Sequence, residues 1–76
     1  MFDMTDDEVS ARVREALTVD ARTSRLAATM RVETFGGVVV LRGTVEDLED
    51  GDLLAEVASG VAGVVEVRDE TDVEGL

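Results

Sequence analysis

Carboxylates dominate the chemistry this chain could carry, and one run concentrates them: Glu46-Asp47-Leu48-Glu49-Asp50-Gly51-Asp52. Oxygen donors at that density suit a hard cation such as calcium, whose loop motif sets ligands at fixed offsets around an invariant glycine. Aligning Gly51 with that glycine puts Leu48 at the third position and Val57 at the twelfth, and neither side chain carries an oxygen. The motif fails. The run reads as helix N-terminal charge followed by a solvated loop, with a loose cation site as the alternative. Eighteen acids also make chance carboxylate pairs unavoidable, but acid–base catalysis needs a shifted pKa in a cleft and a partner group. Histidine, cysteine, lysine and tyrosine are all absent. Ser10, Ser24 and Ser59 therefore have no imidazole to activate them, and none sits in a nucleophile elbow. Gly36-Gly37 joins two strand-like runs rather than opening a helix, so it is no phosphate loop. The expectation is a non-enzymatic chain with no catalytic residue, metal set or cofactor.

The elements around these residues are legible from their periodicity. Thr5-Asp6-Asp7-Glu8 has the capping-box pattern, with Thr5 as N-cap and Glu8 three residues on. Val9, Val13, Ala16 and Leu17 then form one helical stripe ending near Thr18. Arg12, Arg14 and Glu15 fall off that stripe and read as a solvated face. Residues 19–28 read as an irregular link anchored by Leu26, with Arg22 and Arg25 its only concentrated positive charge, either solvated or open to an anionic partner. Met30, Val32 and Thr34 alternate with Arg31, Glu33 and Phe35, the period of a half-buried strand. Gly36-Gly37 suits a tight hairpin turn, and the partner strand runs from Val38 to Val45 with Val39, Leu41 and Val45 inward. Gly43 marks a bulge or a close helix approach.

A second helix is predicted from about Asp47, its N-cap, with Leu54, Val57, Ala58 and Val61 buried, Leu48 adding to its start and Gly63 capping its end. Gly51 and Gly60 weaken it by up to about 1 kcal/mol each relative to alanine. The last strand, Val65 to Val73, carries Val65, Val67, Thr71 and Val73 on one side. The fold class is α+β: a two-layer αββαβ sandwich, a three-stranded mixed sheet with two helices on one face, in a single domain over 1–76.

In that order the chain resembles the BON domain, named for bacterial osmotically induced and nodulation proteins. The residues that carry the resemblance are Val9…Val13…Ala16-Leu17, Met30-x-Val32, Gly37-x-Val39-x-Leu41-x-Gly43-x-Val45 and Ala58…Val61-x-Gly63-Val64-x-x-Val67, closing on Val73. The resemblance implies an αββαβ module without catalytic residues, associated with phospholipid membranes and with osmotic or stress responses, sometimes binding a small ligand. Against that pattern the chain is strongly acidic, and a single copy without an export signal is expected.

Composition sets further bounds. The formal charge is −11, and all seven basic residues are arginine, a bias that fits a halophilic or a GC-rich source equally. A folded protein of this size exposes about 4,500 Å², or about one net negative charge per 400 Å². Such a surface opposes nucleic acid, whose phosphates require a basic footprint, and disfavours anionic lipid. With no membrane-length apolar run and no leader-like start, a cytoplasmic location, or a piece of something larger, is expected.

Strand alternation leaves one sheet face without helices, and it is the candidate interaction surface. Arg31, Arg42 and Arg68 stand there among Glu33, Glu66 and Glu70, with Phe35, Val38 and Val40 forming an apolar patch towards the hairpin. The expected occupants are a protein partner or a second copy, with membrane lipid as an alternative; Phe35 merely covering the hairpin is the bland reading. The charge also generates a prediction. Thermal stability should rise from low to molar monovalent salt as screening relieves repulsion, and a melting temperature that is flat or falling over that range refutes it.

Overall fold

A computed structural model describes residues 4–75; Phe2 and its neighbours at 1–3, with residue 76, lie outside it. The order is α1 (Asp6–Val19), α2 (Ser24–Ala27), β1 (Arg31–Phe35), β2 (Val38–Val45), α3 (Leu48–Ser59) and β3 (Glu66–Val73). The αββαβ scheme is present, with one extra helical turn, α2, in the link expected to be irregular. Its reason is local: the fully buried Thr23 donates its hydroxyl to the Leu17 carbonyl at 2.7 Å, and Leu26 then drops into the core.

The capping box forms as expected. Glu8 donates its amide to Thr5 Oγ1 at 3.2 Å, and Glu8 Oε1 accepts from the Thr5 amide at 3.5 Å. Asp6, the first helical residue, does something further. Its carboxylate accepts from the Gly36 and Gly37 amides at 3.1 and 3.4 Å, tying the start of α1 to the hairpin. Both turn glycines have positive φ, +58° and +85°, as a two-residue turn matched to strand twist requires.

The sheet order is β1-β2-β3. β1 and β2 pair antiparallel, from Phe35 opposite Val38 to Arg31 opposite Arg42. β2 and β3 pair parallel without interruption, from Val38 opposite Glu66 to Val45 opposite Val73. Val32, Val39, Leu41 and Val45 from one sheet face pack with Val9, Val13 and Leu17 of α1 and Leu54 and Ala58 of α3, so both long helices cover the same side.

Several expectations need correction. Gly43 marks no bulge, since the β2–β3 register runs straight through it. It sits at φ +148° with the Met30 side chain and the Thr29 carbonyl where a Cβ would go, so the close neighbour is the lead-in to β1 and not a helix. Gly51 does more than weaken α3: it is buried, and its missing Cβ lets the helix approach Asp69 and Thr71 of β3. Leu48 is 70% exposed and adds nothing to the core, because the α3 stripe begins only at Leu54. α3 stops at Ser59 with Gly60 as its cap, leaving Gly63 (φ +94°) to the turn that follows. Val65 precedes β3 and is 80% exposed; its amide donates to the Gly37 carbonyl at 2.8 Å while its side chain lies beside Gly37.

Gly43→Ala should destabilise the fold by about 1–3 kcal/mol through overpacking, with strain at positive φ adding to it. Urea titration checks this, and an unchanged midpoint contradicts the close approach.

Candidate interaction surface

The pairing register sorts the helix-free sheet face into ranks that run across β1, β2 and β3. The first is Phe35, Val38 and Glu66; the second Glu33, Val40 and Arg68; the third Arg31, Arg42 and Glu70; Thr44 and Asp72 follow. All six candidate residues (Phe35, Val38, Val40, Arg31, Arg42 and Arg68) therefore share one face. Three of the chain's seven arginines stand here, against three glutamates and one aspartate. The face is nearly neutral on a molecule of charge −11.

The apolar patch is smaller than expected. Phe35 is 60% exposed and Val38 half-buried, but Val40 is only 6% exposed. Val40 occupies the central strand, flanked by Glu33 and Arg68 in its own rank, and it lies outside the main core cluster. Long charged side chains cover apolar neighbours with their methylene stems while their heads stay in water. Phe35 and Val38, at the hairpin end, are the apolar atoms a visitor meets.

The charges above them are ordered. Arg42 lies between Glu33 (3.5 Å) and Glu70 (3.4 Å), and Arg68 donates to Glu66 at 2.9 Å. The Glu66 carboxylate holds the Arg68 guanidinium above its ordinary pKa. Arg31 has no carboxylate within ion-pair distance among the described residues. Exposed pairs of this kind contribute little to stability; their effect is to fix which sign stands where.

Both margins of the sheet are partly occupied. At β1, Arg14 Nη2 donates to the Val32 carbonyl at 3.1 Å, and Ser10 and Thr34 share a 2.7 Å hydroxyl hydrogen bond. Arg14 is exposed, as expected, with one nitrogen resting on that carbonyl, and Ser10 is engaged. At β3, the Thr71 amide donates to Asp69 Oδ1 at 3.0 Å, on a strand that also carries Glu66, Glu70 and Asp72. Charged side chains on an edge strand discourage the addition of another strand.

The link arginines are likewise paired. Arg22 pairs with Asp20 at 3.0 Å and Glu56 at 3.5 Å, and Arg25 pairs with Asp50 at 2.8 Å, while both side chains stay largely solvated. Asp50 is the residue the sequence concealed. It lies within the acidic run expected to be solvated, yet it is 4% exposed. Its place at the third position of α3, after the Asp47 N-cap, was the available signal, because a side chain there turns back towards the cap. Asp47 itself makes no side-chain cap bond. The hydrogen bond from Arg25 to Oδ1 holds the Asp50 carboxyl below its ordinary pKa despite desolvation, while Oδ2 is buried without a hydrogen-bond partner. Among the described residues, no three acidic side chains come together as a metal site requires.

A family model for the BON domain matches residues 5–75. The chain belongs to the BON family. BON domains are small, non-enzymatic binding modules, and this one presents a sheet face that its helices leave uncovered. No curated protein matches the chain. No described helix is long and apolar enough to cross a membrane. In this BON domain the Arg25–Asp50 pair joins α2 to the start of α3, so its ionisation is linked to folding. The Asp50 pKa is lower folded than unfolded; its stabilisation is fully present above the unfolded value of about 3.9 and is lost as pH falls through the folded value. The gap in melting temperature between wild type and Asp50→Asn should therefore be widest near pH 6 and narrow as pH falls below the unfolded value. A gap that is constant with pH contradicts the assignment.

Proposed function

We propose that this BON domain is a non-catalytic protein-contact module whose helix-free sheet face is the contact surface. The observation that carries this reading is the near-neutral, ordered face on an otherwise strongly acidic molecule, with Phe35 exposed at its hairpin end. Elsewhere a partner meets mainly excess carboxylate; here both signs stand in fixed positions, and an aromatic ring offers the apolar contact that interfaces favour. The partly occupied margins favour the face over strand addition as the mode of contact.

Attachment to phospholipid, with a link to osmotic stress, is the second reading. Family membership suggests it, and three arginines on the same face as Phe35 support it, since such a set can meet a headgroup. The net charge weighs against anionic bilayers.

The test places a photoreactive phenylalanine analogue at position 35 or, as a control, at position 12 on the outer side of α1. Irradiation in the source cells should link position 35, and not position 12, to protein. Equal capture at both positions, or none at 35, overturns the contact reading. Flotation with phosphatidylcholine or phosphatidylglycerol vesicles transfers support to the lipid reading.

A further inference from the structure

We infer that the partner this face fits is a second copy of the same chain, packed sheet to sheet about a two-fold axis parallel to β2. This rests on the reading of the face as a contact surface and goes further by naming the occupant. The reason is the sign pattern of the two outer strands. In the second rank β1 carries Glu33 and β3 carries Arg68; in the third β1 carries Arg31 and β3 carries Glu70. In these two ranks the outer columns are opposite in charge; in the first, Phe35 stands across from Glu66.

A two-fold axis along the central strand lays β1 of one copy over β3 of the other and keeps each rank facing itself. Glu33 then meets Arg68 of the second copy, and Arg31, which has no carboxylate partner among the described residues of its own chain, meets Glu70. Val38 meets its own counterpart at the axis, Val40 lies covered beneath its flanking side chains, and Phe35 stands opposite Glu66. Arg42 faces Arg42, with each already set between Glu33 and Glu70 of its own sheet. Turning the axis across the strands, between the second and third ranks, also sets Glu33 against Arg31 and Arg68 against Glu70, but it puts Val38 against Thr44 and so loses the Val38 contact. Nearly aligned strands also match the usual packing of stacked sheets.

The geometry makes the dimer weak. Three strands about 4.8 Å apart and up to eight residues long offer roughly 400 Å² per copy, below the approximately 800 Å² per partner of a standard stable interface. Association should be reversible and visible only at high concentration, with salt present to screen the net charge.

The experiment is a charge exchange between copies, read by sedimentation velocity on purified protein at about physiological ionic strength. Wild type should shift from monomer towards dimer as concentration rises into the millimolar range. Glu33→Arg and Arg68→Glu, each alone, should lose that shift, because each sets like charges across the axis. An equal mixture of the two variants should regain it. In the mixed dimer the arginine introduced at position 33 of one copy meets the glutamate introduced at position 68 of the other, and the native Glu33 and Arg68 meet at the second contact. The crosswise axis predicts no rescue, because the arginine introduced at position 33 would face Arg31. Far-ultraviolet circular dichroism confirms folding, and Arg31→Glu with Glu70→Arg is the second pair if either first variant unfolds. A monomeric wild type, undiminished dimer in the single variants, or no rescue on mixing overturns the inference. In any of these cases, capture of a different protein at position 35 leaves the contact reading standing.

Discussion

The aliphatic seam between one sheet face and the two long helices holds the molecule together against its own charge. Leu17, Leu41 and Leu54 are essentially inaccessible within it, and Val13, Val39 and Val45 fill the spaces between them. With no cysteine to crosslink the chain, burial of this kind is the main resource a domain this small has. Glycines allow the layers to close. Gly43 admits Met30 and Gly51 admits the β3 side chains, so backbone without side chains stands where packing is tightest.

One-sided coverage also determines what is left over. Because α1 and α3 occupy the same face, the other retains its alternate residues in register order, and the charge pattern there follows from strand pairing rather than from any loop. Its ion pairs do little for stability. They do set a fixed array of signs, which is what a specific contact requires.

Most of the fold was legible because it is written in periodic apolar residues. Val9, Val13 and Leu17, the alternation through β1 and β2, and the paired glycines each encode their element locally, and all agree with the structure. The failures share a cause: they depend on distant partners. Leu48 and Val65 look like core residues by type, but Leu48 opens α3 ahead of its buried stripe and Val65 falls just before β3. Asp50 looks solvated until Arg25, which is 25 residues earlier, comes beside it. Val40 was placed on the right face, but its burial depends on neighbours across two strand pairings. The six residues of the candidate surface came from alternation alone; the rank order that makes them a pattern needed the register.

The blunted margins bear on how copies of this chain could accumulate. A fibril or open ribbon grows by strands joining end-exposed strands, and each new subunit must offer a fresh margin to the next. Here Arg14 sits on the Val32 carbonyl at one margin, while Asp69 and its acidic neighbours guard the other. Contact through the flat face uses up that face in both participants, so it terminates instead of propagating. The architecture tolerates company while remaining poorly suited to polymerisation, even where the protein is crowded.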